Sequence, residues 1–141
     1  MIREKSKFEF VSDEWVEQAR MILKDLVSEF GKEEINFSVC ETFTNAPKKI
    51  DPSGIVSWCF YIKGNSVKVA RGKADDTDVK INFDYQKASV IAKIVYNEEI
   101  IARQKEDIEK AREALAIAGK EFKEPPDYLT ELHNQLALVT V

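Results

Sequence analysis

The chain has 141 residues, 44% of them hydrophobic and 33% charged, with a net charge of −4. That length suits one domain around one core, and the composition is that of an ordinary soluble globular protein. The acidic balance argues against nucleic acid or an anionic membrane as partner, since both need a basic footprint, and no apolar run approaches the ~20 residues of a membrane span.

Met1 to Lys7 carries charge without a following apolar segment, so no signal peptide and a cytoplasmic location are expected. Phe8 to Val11 reads as a short extended lead-in. Ser12, Asp13 and Glu14 then place a hydroxyl cap and two acids at a helix start. Val11 and Val16 stand at the two positions of a hydrophobic staple around that cap. Trp15, Ala19, Ile22, Leu26 and Phe30 recur at helical spacing, and Gly31 is the stop. Ile35 to Thr44 is the first strand, with Ile35, Phe37, Val39 and Phe43 on one face. Glu41 falls on that same apolar face. Either a bulge or a sheet edge turns it to solvent, or it is a polar group set into a ligand cavity.

A loop from Lys48 to Gly54 leads into the stretch that organises the chain, Ile55 to Tyr85. Val56, Trp58, Phe60 and Ile62 alternate with Ser57, Cys59, Tyr61 and Lys63; Val67 and Val69 follow the same rhythm, as do Val79, Ile81 and Phe83. Gly64-Asn65 marks a tight hairpin. The pattern predicts an antiparallel meander with one apolar face. Past Asp84, a candidate N-cap, Ala88, Ile91, Ile94 and Val95 space as a helix, interrupted at Tyr96 to Glu99. A second run to Ile117 carries charges of both signs from Arg103 to Glu113, the mark of a solvated face. Gly119 stops it. Pro125 and Pro126 precede a last helix capped by Asp127 and striped with Leu129, Leu132, Leu136 and Val139. The fold class read from this order is α+β, an antiparallel sheet of four to five strands covered on one face by helices, in one domain over residues 1–141.

No catalytic or metal-binding constellation stands out, and no cofactor is implied. There is no nucleophile elbow, phosphate-binding loop or metal-ligand pair. Asp75, Asp76 and Asp78 lack the ligand order of a calcium loop and read as a solvated turn. Cys40 and Cys59 read as reduced, buried small hydrophobes. His133, the single histidine, borders the apolar stripe of the last helix, where packing or hydrogen bonding is its ordinary role. The apolar face therefore carries the functional weight. Such a face either closes into a solid core or leaves room for an apolar ligand between two layers.

Several segments look like the sterol carrier protein 2 family of lipid-binding domains. They are Ser12-Asp13-Glu14-Trp15, Arg71-Gly72 with Ala74-Asp75, the strand from Asp78 to Tyr85, Gly119-Lys120, and the ending Leu129 to Leu136. Together they span residues 12–138. The resemblance implies a hydrophobic tunnel between sheet and helices and an apolar ligand such as a sterol, a fatty acyl chain or an acyl-CoA. Carried onto this chain, the lining would come from the strand residues Phe43, Trp58, Phe60, Ile81 and Phe83. Ile91, Ile94 and Leu136 would add the helical side, with Glu41 meeting a polar head. The segment from Gly119 to Pro126 departs from the family's final edge strand, so a fifth strand would be missing or very short. Two other readings stand beside this one. A non-catalytic partner subunit would use the charged helix, with Ile101, Ile108 and Leu115, for assembly. A small enzyme would use Glu41 and His133.

Overall fold

A computed structural model describes residues 6–141; residues 1–5, most of the segment read for a signal peptide, lie outside the described residues. Helix α1 (Asp13–Phe30) starts where the Ser12 hydroxyl accepts the Trp15 N–H at 3.2 Å, with Asp13 and Glu14 in the first turn. Just ahead of the cap, Val11 takes φ 60°, a left-handed value that a β-branched residue rarely adopts. Its fully buried side chain and the Arg71 guanidinium, which donates to its carbonyl at 3.1 Å, hold it there. Gly31 ends the helix with its N–H on the Val27 carbonyl, where a Cβ would collide with that same oxygen.

Strands β1 (Asn36–Thr44), β2 (Val56–Lys63), β3 (Ser66–Arg71) and β4 (Val79–Asp84) form one sheet in the order β3-β2-β1-β4. The expected antiparallel sheet is corrected at one edge. β1 pairs antiparallel with β2, and β2 with β3, but β4 lies parallel to β1, so the sheet is mixed. The reason lies in residues 72–78. They do not fold back as a hairpin but cross the outer face of the sheet and return beside β1 in the same direction. At the β2–β3 hairpin only Gly64 takes a positive φ, 58°, and Asn65 does not, the pattern of a turn with glycine first. The described residues contain no fifth strand after α3, where Pro125 and Pro126 lead directly into the last helix.

The outer face is unusually closed for a sheet with helices on one side only. Ser38, Cys40, Ser57 and Cys59 are all buried there beneath the crossover. Cys40 and Cys59 are register partners and both thiols are free; burial pushes Cys59 up to about 12. The Cys59 thiol donates to the Gly72 carbonyl at 3.1 Å, and the Tyr61 hydroxyl donates to Asp76 at 2.5 Å. Asp78 is the clasp. Its Oδ2 accepts the Ser38 N–H at 2.9 Å, the Ser38 hydroxyl at 3.1 Å and the Lys123 ammonium at 3.0 Å. The turn expected at Asp75 to Asp78 is solvated, all three acids being exposed, and hydrogen bonds from its inner side hold it over the sheet.

Burial pushes the Asp78 carboxyl up, but Lys123 and Ser38 outweigh it and the net shift is down. A lowered carboxylate contributes stability above its unfolded pKa and loses it as pH falls through the folded one. Asp78→Ala should therefore cost about 2 kcal/mol at neutral pH, because it orphans the Ser38 N–H. The difference should shrink in strong acid, where the protonated carboxyl keeps an acceptor for Ser38 but loses its charge, and urea denaturation of both proteins across pH checks it.

The helices cover the other face. α1 packs over the β3 side, α2 (Tyr85–Ala92) over β4 and β1, and α4 (Leu129–Val139) lies against both α1 and α2. Asp84 caps α2 by accepting the Lys87 N–H at 3.1 Å. Asp127 is not the cap of α4: Tyr128 holds that position and no side chain caps the helix. The chain end is tied down, since the Trp15 indole donates to Thr140 at 2.9 Å and Thr140 bridges to Phe8. α3 (Glu98–Ile117) has no buried residue and ends in a Schellman turn, with Lys120 N–H on the Leu115 carbonyl and Gly119 at φ 68°. No helix of the described residues is long and apolar enough to cross a membrane.

Candidate functional site

Between the inner face of the sheet and the layer of α2 and α4 lies an open cavity of about 340 Å³, at the lower end of the range usual for small-molecule sites. β1 supplies Val39, Glu41 and Phe43 to its wall, β2 supplies Trp58 and Phe60, and β4 supplies Ile81 and Phe83. Their alternation along each strand turns all of them to the same side. α4 contributes Leu129, Leu132, His133 and Leu136; α2 contributes Ala88, Ile91 and Ala92.

An aromatic cluster closes the inner end. The Phe10 ring stands 5.1 Å from Trp15 and 5.0 Å from Phe43, and Trp15 meets Trp58 edge-on at 5.0 Å. The other end is open. Among the described residues β4 is an edge strand with no strand beyond it, and Ile81, Phe83 and Ile91 remain 40%, 41% and 43% exposed.

Among the described residues Glu41 is the one acid on this wall. β1 is an inner strand whose register runs unbroken through Glu41, opposite Trp58 on one side and Ile81 on the other. No bulge or edge turns it to solvent, which settles the first of the two readings against it. Its half-buried carboxyl faces the cavity, and burial pushes it up to about 7, with the Trp58 indole pulling it down. The Trp58 Nε1–H nevertheless has no partner at hydrogen-bond geometry among the described residues. His133 lies across the cavity. Its Nε2 is 2.7 Å from the Ile94 carbonyl, which can only accept, so that nitrogen carries the proton and Nδ1 is left as an acceptor. The ring stacks on Tyr96 with centroids 3.7 Å apart. Burial lowers its pKa and the bond to Ile94 raises it, the net direction being down. Among the described residues no lysine or arginine lines the wall, and there is no cluster of metal-ligating side chains.

No family model, curated protein or solved structure matches this chain.

Of the residues singled out from sequence, Phe43, Trp58, Phe60, Ile81, Phe83, Ile91, Leu136 and Glu41 all reach this one cavity. Ile94 does not. α2 ends at Ala92, so Ile94 lies past the helix with its side chain exposed and its carbonyl on His133. Tyr96 was missed because it sits in the break between two helices, where no periodicity marks a face. Its N–H donates to Asn134 at 2.7 Å, which fixes that break onto α4. His133 carried a readable signal. It stands four residues after Leu129 and three before Leu136, the spacing of one helix face. A wider groove of about 680 Å³ between α3 and the start of α4 shares Tyr96, Leu129 and His133 with the cavity. The stacked pair therefore stands where the two spaces meet.

Proposed function

We propose that this chain is a lipid-binding domain of the sterol-carrier type, holding an apolar ligand between sheet and helices. One observation carries the reading. The cavity wall is continuous with the aromatic core yet opens at β4, where Ile81, Phe83 and Ile91 stay exposed. Apolar surface left uncovered at the mouth of an apolar cavity is what a ligand would remove from water, at about 25 cal/mol per Å². In this reading Glu41 and His133 contact the ligand and carry no reaction. Native mass spectrometry of the purified protein should find co-purified lipid, and a panel of apolar ligands should quench Trp15 and Trp58. An empty protein with unmoved fluorescence across the panel would refute the proposal.

A second reading is favoured by α3, a helix of 20 residues with none buried. It is that of a non-catalytic partner subunit assembling through this helix. Light scattering distinguishes the two, since a monomer with no stable partner in lysate opposes assembly.

A further inference from the structure

We infer that the cavity selects an uncharged amphiphile whose head accepts a hydrogen bond, an alcohol, ketone or ester, over a carboxylate or phosphate of the same chain length. The inference rests on the reading of the cavity as a ligand site and narrows it.

Three observations meet at one point of the wall. The first is a missing partner. Among the described residues two buried side-chain polar atoms lack one, Trp58 Nε1 and the Tyr128 hydroxyl, and only Trp58 lines this cavity. The contrast with Trp15, whose indole N–H is satisfied by Thr140 at 2.9 Å, makes the gap informative. A buried donor without a partner is costly, and an acceptor arriving with a ligand removes that cost.

The second is the neighbour of that donor. Glu41 is the cross-strand partner of Trp58, so a head group within reach of the indole is also within reach of the carboxyl. The third is the absence of any counter-charge. Among the described residues no lysine or arginine lines the wall, so an anionic head would be desolvated beside a carboxyl group with no described cation to balance it. The other titratable groups facing the cavity are Tyr96, from the link between α2 and α3, and His133, from α4; α1, β2 and β4 contribute none. His133 already spends its Nε2 proton on Ile94, so it offers the ligand an acceptor and no positive charge at neutral pH. A neutral head instead accepts from Trp58 and, if it is a hydroxyl, donates to Glu41.

The test uses two probes of equal chain length, 1-decanol and decanoate, titrated calorimetrically at pH 8.5 into the wild type, Glu41→Gln and Trp58→Phe. Decanol should bind at least about tenfold more tightly than decanoate to the wild type. Glu41→Gln should narrow that ratio severalfold by removing the like charge. Trp58→Phe should weaken decanol about fivefold while keeping the ring. If Trp58→Phe fails to fold, the Glu41→Gln ratio decides alone. Decanoate binding as tightly as decanol overturns the head-group inference and leaves the apolar-ligand reading standing, as does a ratio unmoved by Glu41→Gln. Neither probe binding overturns both.

Discussion

Replacing Glu41 with glutamine should stabilise the protein by about 2–3 kcal/mol at pH 8 and leave it nearly unchanged near pH 4. The folded carboxyl titrates at about 7 against 4.5 for the free group. Between those values the folded protein keeps a proton that the unfolded chain has lost. Folding stability therefore falls as pH rises through this window and levels off above it. The cause is burial on an inner strand between Trp58 and Ile81, where the ionised carboxylate is held away from water and no described residue on the wall is a cation. Glutamine keeps the shape and removes the charge. His133, whose lowered pKa acts in the opposite sense below its ordinary value, is present in both proteins and cancels in the difference. Asp78 titrates below this window and cancels likewise. Urea denaturation at pH 4, 6 and 8 gives the two curves. Parallel curves would mean that Glu41 titrates in the folded protein as it does in the unfolded chain, and the account of the cavity wall would fail with it.

The elements were legible where their cause is local. Ser12 and Asp84 announce helix starts because a side chain three residues from an N–H can cap it, and both do so here. Period-two alternation gave the strand faces because a pleat turns every second side chain the same way, and the break in that alternation at Glu41 pointed to the site. The parallel pairing of β4 with β1 was not legible. It depends on where a seven-residue link runs, and neither hairpin chemistry nor periodicity encodes that path. A trace of it was present in the small residues Ser38, Cys40, Ser57 and Cys59, which form a second face fit to be covered. Cys40 and Cys59 read as buried, but a meander with one apolar face supplies nothing to bury them. The cover over Cys40 and Cys59, and the clasp at Asp78, follow from the crossover. Ile94 was misplaced for a related reason. Its apolar spacing continues that of Ala88 and Ile91, but the helix stops one turn short and the chain turns towards Asn134 and His133.

Phe43 and Phe83 are register partners on adjacent strands, facing the same cavity, and substituting each with alanine should give very different results. Phe43 is 2% exposed on the inner strand β1 and packs on Phe10 at 5.0 Å. Its loss should cost about 3–4 kcal/mol and lower the melting temperature by roughly 10 °C, because surrounding β-sheet on both sides cannot collapse into the space. Phe83 is 41% exposed on the edge strand β4, so most of what it would bury is still in water. Phe83→Ala should cost about 1 kcal/mol. For ligand affinity the ranking reverses, since Phe83 keeps a large unburied share at the mouth of the cavity and a ligand would cover it. Denaturation in urea and titration with decanol measure the two quantities on the same pair of variants. Equal stability losses would mean that the β4 edge is covered in solution even without ligand, as it would be by a second copy or another chain. The open mouth would then be an interface, and the partner-subunit reading would displace the lipid-binding one.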